Sequence, residues 1–313
     1  VRLVTYAREG QRRLGALVGQ RVVDLNRAYV ASRVAIGEPA SLAAALVPPD
    51  LRALLALGQP ALDACRAALA YIAEREGDAA ALRDAGLAYD LADVRLGPPL
   101  PEPGKIICLG LNYRDHAAET KGKIPEYPIL FSKYTNSICG PGDPIVLPRV
   151  TQKVDYEAEF AFVIGRRCKD VPRERALDYV AGYMNANDVS ARDYQLRVSQ
   201  WMTGKAFDTF CPIGPALVLK DEVPDPHNLP VRLTINGEVL QDSNTSELIF
   251  NVYDLVAYIS SVMTLEPGDL VLTGTPAGVG FVREPSRYLR PGDRVRVEIG
   301  NLGVLENPVV AEA

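Results

Sequence analysis

At 313 residues, 48% hydrophobic and 23% charged, the chain has the make-up of an ordinary globular protein with room for a sizeable core and an appendage or second domain. A net charge of −5, with Lys and Arg dispersed, gives no electrostatic footprint for nucleic acid. The longest apolar stretches, 40–47 and 51–57, are parted by Pro48, Pro49 and Asp50 and fall short of the ~20 residues of a membrane helix, and no basic segment leads into an apolar one at the N-terminus, so no membrane partner and a cytoplasmic location are expected.

Residues 2–6, 16–18 and 21–25 alternate as short strands do. Ala/Leu-rich amphipathic helices are expected over 41–57 and 62–75, the first interrupted at Pro48 and Pro49, which cannot donate a helical N–H. This first segment has no His and no polar constellation, and residues 1–95 are expected to form a small α+β domain. Pro98, Pro99, Pro101 and Pro103 make 96–104 a linker. From 105 to 313 short strands and Gly/Pro turns take over, with strands expected at 105–109, 129–133, 156–164, 180–188, 216–220, 231–235, 270–273 and 294–299. Asn236-Gly237 signals a hairpin turn into the run 238–240. Helices are expected at 173–179 and 252–261. The whole reads as a mixed, β-dominated fold with a sandwich or barrel-like core.

Glu157 and Glu159 lie two apart in the apolar run 154–165. Residues i and i+2 of a strand share a face, so two carboxylates project together and need a compensating cation, for which Mg²⁺ or Mn²⁺ is suited; the same spacing also occurs on solvated faces that do no chemistry. Asp188, at the end of an expected strand, either completes a three-carboxylate cluster or caps a short helix. His116 follows a strand and a Gly where a helix would start, and Glu119 one turn on can orient the imidazole to activate water; an exposed ion pair has the same spacing. His227, flanked by prolines, reads as a structural loop residue. Lys205 lies among apolar and aromatic neighbours, facing an anion or snorkelling to solvent, and Lys133 and Arg192 pose the same question with surface charge as the alternative. The Gly-rich loop 273–280 lacks the nucleotide-binding spacings and either brings backbone N–H groups and the Thr275 hydroxyl to a small carboxylate or is a plain turn. Five scattered cysteines without C-x-x-C spacing read as small buried hydrophobes in a reducing compartment. Residues 114–127, with Gly122 and Pro125 among charges and no sustained apolar period, are expected to form a mobile lid.

Taken in order, these segments resemble the fumarylacetoacetate hydrolase family: Gly110-Leu111-Asn112-Tyr113 with His116 and Glu119, Tyr156-Glu157-Ala158-Glu159, Asn187-Asp188-Val189-Ser190-Ala191-Arg192-Asp193, Gly204-Lys205-Ala206-Phe207-Asp208, Asn236-Gly237-Glu238 and the loop 272–280. The likeness covers about two thirds of the chain and is closest to the branch with an N-terminal extra domain and the turn Asp225-Pro226-His227-Asn228-Leu229. It implies a mixed β-sandwich roll, usually a homodimer, with Mg²⁺ or Mn²⁺ held by Glu157, Glu159 and Asp188. It further implies a water-activating His116–Glu119 dyad, substrate contacts from Lys205, Gln195 and Thr275, and Lys133 and Arg192 near the substrate by neighbourhood. The chemistry so implied is hydrolytic cleavage of a C–C bond in an acylpyruvate-type 2-oxo carboxylate, through a pyruvate enolate stabilised by the metal and Lys205. Oxaloacetate decarboxylation makes the same enolate, and relatives include isomerases and hydratases of unsaturated dicarboxylates. A non-catalytic metal-binding homodimer is the reading from another class, and the retained His116, Glu119 and Lys205 argue against it.

Overall fold

The alternating N-terminal pattern folds as an antiparallel meander of β1 (Arg2–Arg8), β2 (Gln11–Val18) and β3 (Arg21–Asp24) in the computed structural model, which describes residues 1–75 and 77–313. The third strand ends before residue 25 because the buried Asp24 accepts the N–H of Arg27 and caps α1 (Leu25–Val34), a helix not expected from the sequence. The expected helix at 41–57 is two, α2 (Ala40–Leu46) and α3 (Leu51–Ala56), broken at the paired prolines. Then follow α4 (Gln59–Ala73), with Pro60 in its first turn, α5 (Ala79–Asp84), β4 (Ala88–Asp90) and β5 (Arg95–Gly97).

Beyond them come β6 (Ile106–Gly110), α6 (Arg114–Glu119), β7 (Ile129–Lys133), β8 (Ile138–Cys139), β9 (Ile145–Leu147) and β10 (Val154–Asp155). The central run is β11 (Ala158–Ile164), β12 (Val180–Asn187), β13 (Ser190–Ala191), α7 (Arg192–Gln195), α8 (Met202–Lys205) and β14 (Cys211–Leu219). The chain closes with β15 (Pro230–Ile235), β16 (Glu238–Asn244), α9 (Val252–Val262), β17 (Leu270–Leu272), β18 (Arg294–Ile299) and β19 (Val304–Ala311). Two expectations shift, and one strand is additional. The segment Arg173–Tyr179 is a 3-10 helix. The run after Asn236-Gly237 extends to Asn244, since a bulge against Leu233 and Thr234 breaks the alternation that would have revealed it. The strand Val304–Ala311 is hidden by Pro308, which lies within it.

The large sheet has twelve strands in the order β4-β3-β2-β1-β14-β12-β11-β17-β6-β7, with β5 added on β1 and β8 on β14. It does not stop at the boundary expected at 96–104. Arg2 and Leu3 pair with Val218 and Leu217, and Arg95–Gly97 is itself a strand on β1, so the N-terminal meander continues the sheet of the remainder. A five-stranded sheet, β16-β15-β18-β19-β9, packs with α9 on the opposite face from the N-terminal helices.

β11 shows why its sequence is apolar throughout: it is buried on both faces. Ala161 and Val163 share a core with Leu25, Leu54 and Ala68 of the N-terminal helices, whereas Phe160, Phe162 and Ile164 meet Val231, Leu233, Leu255 and Val297. Each fully buried Phe there stabilises the fold by about 1.5–3 kcal/mol. The fold is mixed and strand-dominated, and it holds the acid-bearing end of β11 between two cores.

Candidate active site

The pairing of β11 with β12 sets Ala158 opposite Asn187 and Glu159 opposite Ala186. Glu157, just before β11, donates its N–H to Asn187 Oδ1 at 3.0 Å and accepts the N–H of Asp188 on its carbonyl at 2.9 Å. Asp188, one residue past β12, is thereby fixed beside it. One carboxylate oxygen from each of Glu157, Glu159 and Asp188 lies within 4.8 Å of the others, and all three residues are buried. The strand begins at Ala158 and not at 156, but the two glutamates still converge as their i, i+2 spacing requires.

Three cations close on these acids. Lys205 Nζ donates to Glu157 Oε2 and Asp188 Oδ2, each at 2.7 Å. Lys133 Nζ donates to Asp188 Oδ1 at 2.6 Å and to the carbonyl of Val189 at 3.1 Å. Arg192 donates Nε–H to Asp155 Oδ2 at 2.8 Å and Nη1–H to Gln195 Oε1 at 2.9 Å, and its Nη2 pairs with Glu157 Oε1 at 2.7 Å. Burial disfavours the charge of Glu157, but Arg192 and Lys205 outweigh it and hold the carboxyl below its usual range. Burial likewise opposes the charge of Lys205, and Asp188 and Glu157 reverse the balance and keep it an ammonium.

Asp155, Glu157, Glu159 and Asp188 are therefore four buried carboxylates against three cations. Among the described residues no Lys, Arg or His pairs with Glu159, whose Oε2 accepts the N–H of Gly274 at 2.7 Å. Burial first, and the neighbouring Asp188 and Glu157 second, push its carboxyl well above the usual range. A divalent cation fits this arrangement, because it takes oxygen donors and supplies the positive charge that Glu159 lacks.

At the rim, His116 Nδ1 lies 3.3 Å from Glu119 Oε2 on α6. Both Glu119 oxygens accept the Gly278 N–H, at 2.9 and 3.1 Å. Asp115 accepts the N–H of His116 at 2.7 Å and the Ser243 hydroxyl at 2.5 Å, and Asn112 donates to the carbonyls of Thr273 and Phe250, so the turn into α6 is tied to the Gly-rich loop. That loop does bring backbone N–H groups to carboxylates, but they are the protein's own Glu159 and Glu119. With Nδ1 turned to Glu119, Nε2 is the nitrogen His116 presents to the cavity it lines.

The cavity holds about 260 Å³, and its polar wall is made by His116, Glu157, Glu159, Arg192, Lys205 and Thr275, with Gln195 beside them. Phe131, Trp201 and Phe281 form the apolar side. Gln241 donates to Thr275 Oγ1 at 2.8 Å and accepts the Ala158 N–H at 2.9 Å, which leaves the Thr275 hydroxyl free to donate inward. Lys205 reaches the site because Gly204 lets α8 press on α7: a Cβ there would lie 2.5 Å from the Gln195 nitrogen. Lys133 is brought to the acids but not to the cavity wall, since its ammonium is engaged behind Asp188. His227 stands apart, its Nε2 accepting the Val252 N–H at the start of α9, and all five cysteines are buried.

Two residues essential to this geometry escape a reading by sequence. Asp155 holds Arg192 and also accepts the N–H groups of Gly280 and Phe281, and Gln241 sets Thr275. Asp155 had a visible signal, because 155, 157 and 159 follow one strand parity. Gln241 had none, lying past a bulge in a strand of ordinary composition.

Comparison with known proteins points to one family. Residues 105–310 match the family described as Fumarylacetoacetate (FAA) hydrolase C-terminal. The chain is 46% identical over 269 residues to the mitochondrial oxaloacetate tautomerase fahd2 of Xenopus laevis, across 84% of this chain and 79% of that protein. Among solved structures, a fumarylacetoacetate hydrolase from psychrophilic Exiguobacterium antarcticum superposes with a TM-score of 0.77 at 34% identity, covering 99% of each chain. The 5-carboxymethyl-2-hydroxymuconate delta-isomerase of Mycobacterium smegmatis superposes with a TM-score of 0.73, also at 34% identity and over the whole of both chains. No helix among the described residues is long and apolar enough to cross a membrane.

Proposed function

The chain belongs to the fumarylacetoacetate hydrolase family, and on that premise we propose that it is a divalent-metal-dependent enzyme interconverting the keto and enol forms of a small 2-oxo dicarboxylate such as oxaloacetate. The observation that carries this reading is the His116 imidazole, its tautomer set by Glu119, facing a small cavity floored by buried acids and ammonium and guanidinium groups. His116 Nε2 takes a proton from C3 of the substrate; the C–H pair becomes the C2=C3 double bond, and the proton returns to the C2 oxygen. Glu119 stabilises the imidazolium formed in between. Gln195 and Thr275 donate to the substrate carboxylate, and Lys205 stabilises the enolate charge. A divalent cation held by Glu157, Glu159 and Asp188 supplies Lewis-acid polarisation of the 2-oxo group when bound.

Hydrolytic cleavage of an acylpyruvate is the second reading, favoured by the same dyad because a base placed to take a proton from carbon can take one from water. A panel of enol-oxaloacetate, oxaloacetate and short acylpyruvates, followed in the ultraviolet with Mg²⁺ and with EDTA, separates the two. Loss of the enol band with oxaloacetate conserved supports the tautomerase. Pyruvate release from acylpyruvates, with no acceleration of tautomerisation, overturns it in favour of the hydrolase.

A further inference from the structure

Trp201 stands between two spaces. On one side is the catalytic cavity of about 260 Å³ and on the other a groove of about 680 Å³, and Trp201 and Phe131 line both. Their rings meet edge to face with centroids 5.6 Å apart at 71°, which closes the partition. The indole is seated on the backbone at Gly110, where a Cβ would lie 2.1 Å from its Cζ3 and 2.6 Å from its Cη2, so no other residue at 110 admits the ring in this position. Gly110 ends β6, on the approach to the His116 helix, and Trp201 directly precedes α8, which carries Lys205. The partition is thus anchored to both halves of the chemistry.

The two spaces differ in character. The cavity falls below the roughly 300–1,000 Å³ usual for a ligand pocket, and its wall of buried acids and cations faces an apolar wall that includes Leu109, Ile129 and Leu196. The groove carries no carboxylate and, beside Lys105 and Lys133, offers Ile106, Leu130, Met202 and Met263, side chains suited to an alkyl or acyl chain. Nothing in the chemistry proposed above uses it.

We propose that Trp201 is the specificity-determining residue for substrate length: its indole confines the site to four-carbon 2-oxo acids, and its removal joins the cavity to the groove and admits an acyl tail. This rests on the 2-oxo acid reading, so its test is binding, independent of turnover. Oxamate and N-alkyl oxamates of increasing chain length, titrated calorimetrically with Mg²⁺ present, mimic a 2-oxo acid with a growing tail. Wild-type affinity should fall at least tenfold once the tail exceeds two carbons, on the scale of the 10- to 200-fold that one methylene commands in a tight pocket. In Trp201→Ala that fall should vanish or reverse. Trp201→Phe, which keeps an aromatic ring over Gly110, should shift the cut-off part of the way and serves if the alanine variant does not fold. The same length profile in wild type and variants, with oxamate binding intact, overturns the proposal alone. Failure of wild-type protein to bind oxamate at all overturns the 2-oxo acid reading and the length proposal with it.

Discussion

Glu157, Glu159 and Asp188 stand at the ends of two central strands whose pairing is sealed between two cores, and Lys205, Lys133 and Arg192 grip Glu157 and Asp188 from three further elements. His116 and Glu119 stand across the same cavity on a helix of six residues, far below the ~12–15 at which an isolated helix becomes even marginal. That helix persists through a handful of contacts from Asn112, Asp115 and Gly278. The difference teaches how labour is divided in this site: the floor is fixed by sheet register and charge, whereas the rim is held by hydrogen bonds between a short helix and the loops beside it.

The largest effects should come from breaking the floor. Glu157→Ala and Glu159→Gln should both reduce activity to background, removing the several kcal/mol that metal-ion catalysis supplies, and EDTA should do the same to wild type. Calorimetric Mg²⁺ titration of each variant checks the cause, and EDTA-insensitive activity in Glu159→Gln would show that the unpaired acid is not a ligand. Breaking the rim should cost less. His116→Ala should lower turnover by roughly 10²–10⁴ while leaving Mg²⁺ affinity close to wild type. Should it weaken Mg²⁺ binding as strongly as Glu157→Ala does, floor and rim are one unit and the comparison fails.

A smaller effect should come from behind the floor. Asp155 touches neither cavity nor metal ligand set, yet it holds Arg192 and the N–H groups of Gly280 and Phe281, where the Gly-rich loop ends. Asp155→Asn should destabilise the protein by about 3–5 kcal/mol, the usual result of stripping one partner from a buried ion pair, read as a lowered urea midpoint. Activity should fall about tenfold, less than the usual share of a proton-transfer group, because Arg192 keeps its contacts to Glu157 and Gln195. Wild-type stability in this variant would mean that the floor does not depend on its charge network.

The floor was also the more legible region. Glu157 and Glu159 declare themselves because a strand carries i and i+2 on one face, and β11 is apolar enough to be read as a buried strand. His116 and Glu119 follow from helical spacing after a strand and a Gly. What the sequence hides is whatever tertiary packing alone decides. The opposition of Glu157 and Asp188 depends on strand register, Lys133 turns from the cavity to Asp188, and Gln241 reaches Thr275 across a bulge. The place of the N-terminal meander in the large sheet is hidden for the same reason: nothing local in Arg2 or Leu3 foretells pairing with Val218 and Leu217.

The smallest and most discriminating effect concerns motion of the rim. Past α6 the chain turns through Lys121, whose φ is +54°, and runs on through residues 121–127 with little to hold it. Ile124 and Tyr127 are 52% and 62% exposed, large apolar side chains with no core beneath them. A ligand that offered them a surface would recover part of the about 1.5–3 kcal/mol each gains on burial. Closure would then carry the dyad onto the substrate, and the base would act only in the closed state. With Mg²⁺ and oxalate, a mimic of the enolate, hydrogen exchange across 114–127 should slow about tenfold relative to Mg²⁺ alone, a gain of ~1.4 kcal/mol. Exchange across Ala158–Ile164 should not change, since that strand is already sealed on both faces. Equal protection of 114–127 in the two states would mean that the rim is as fixed as the floor and that no closing step gates the chemistry.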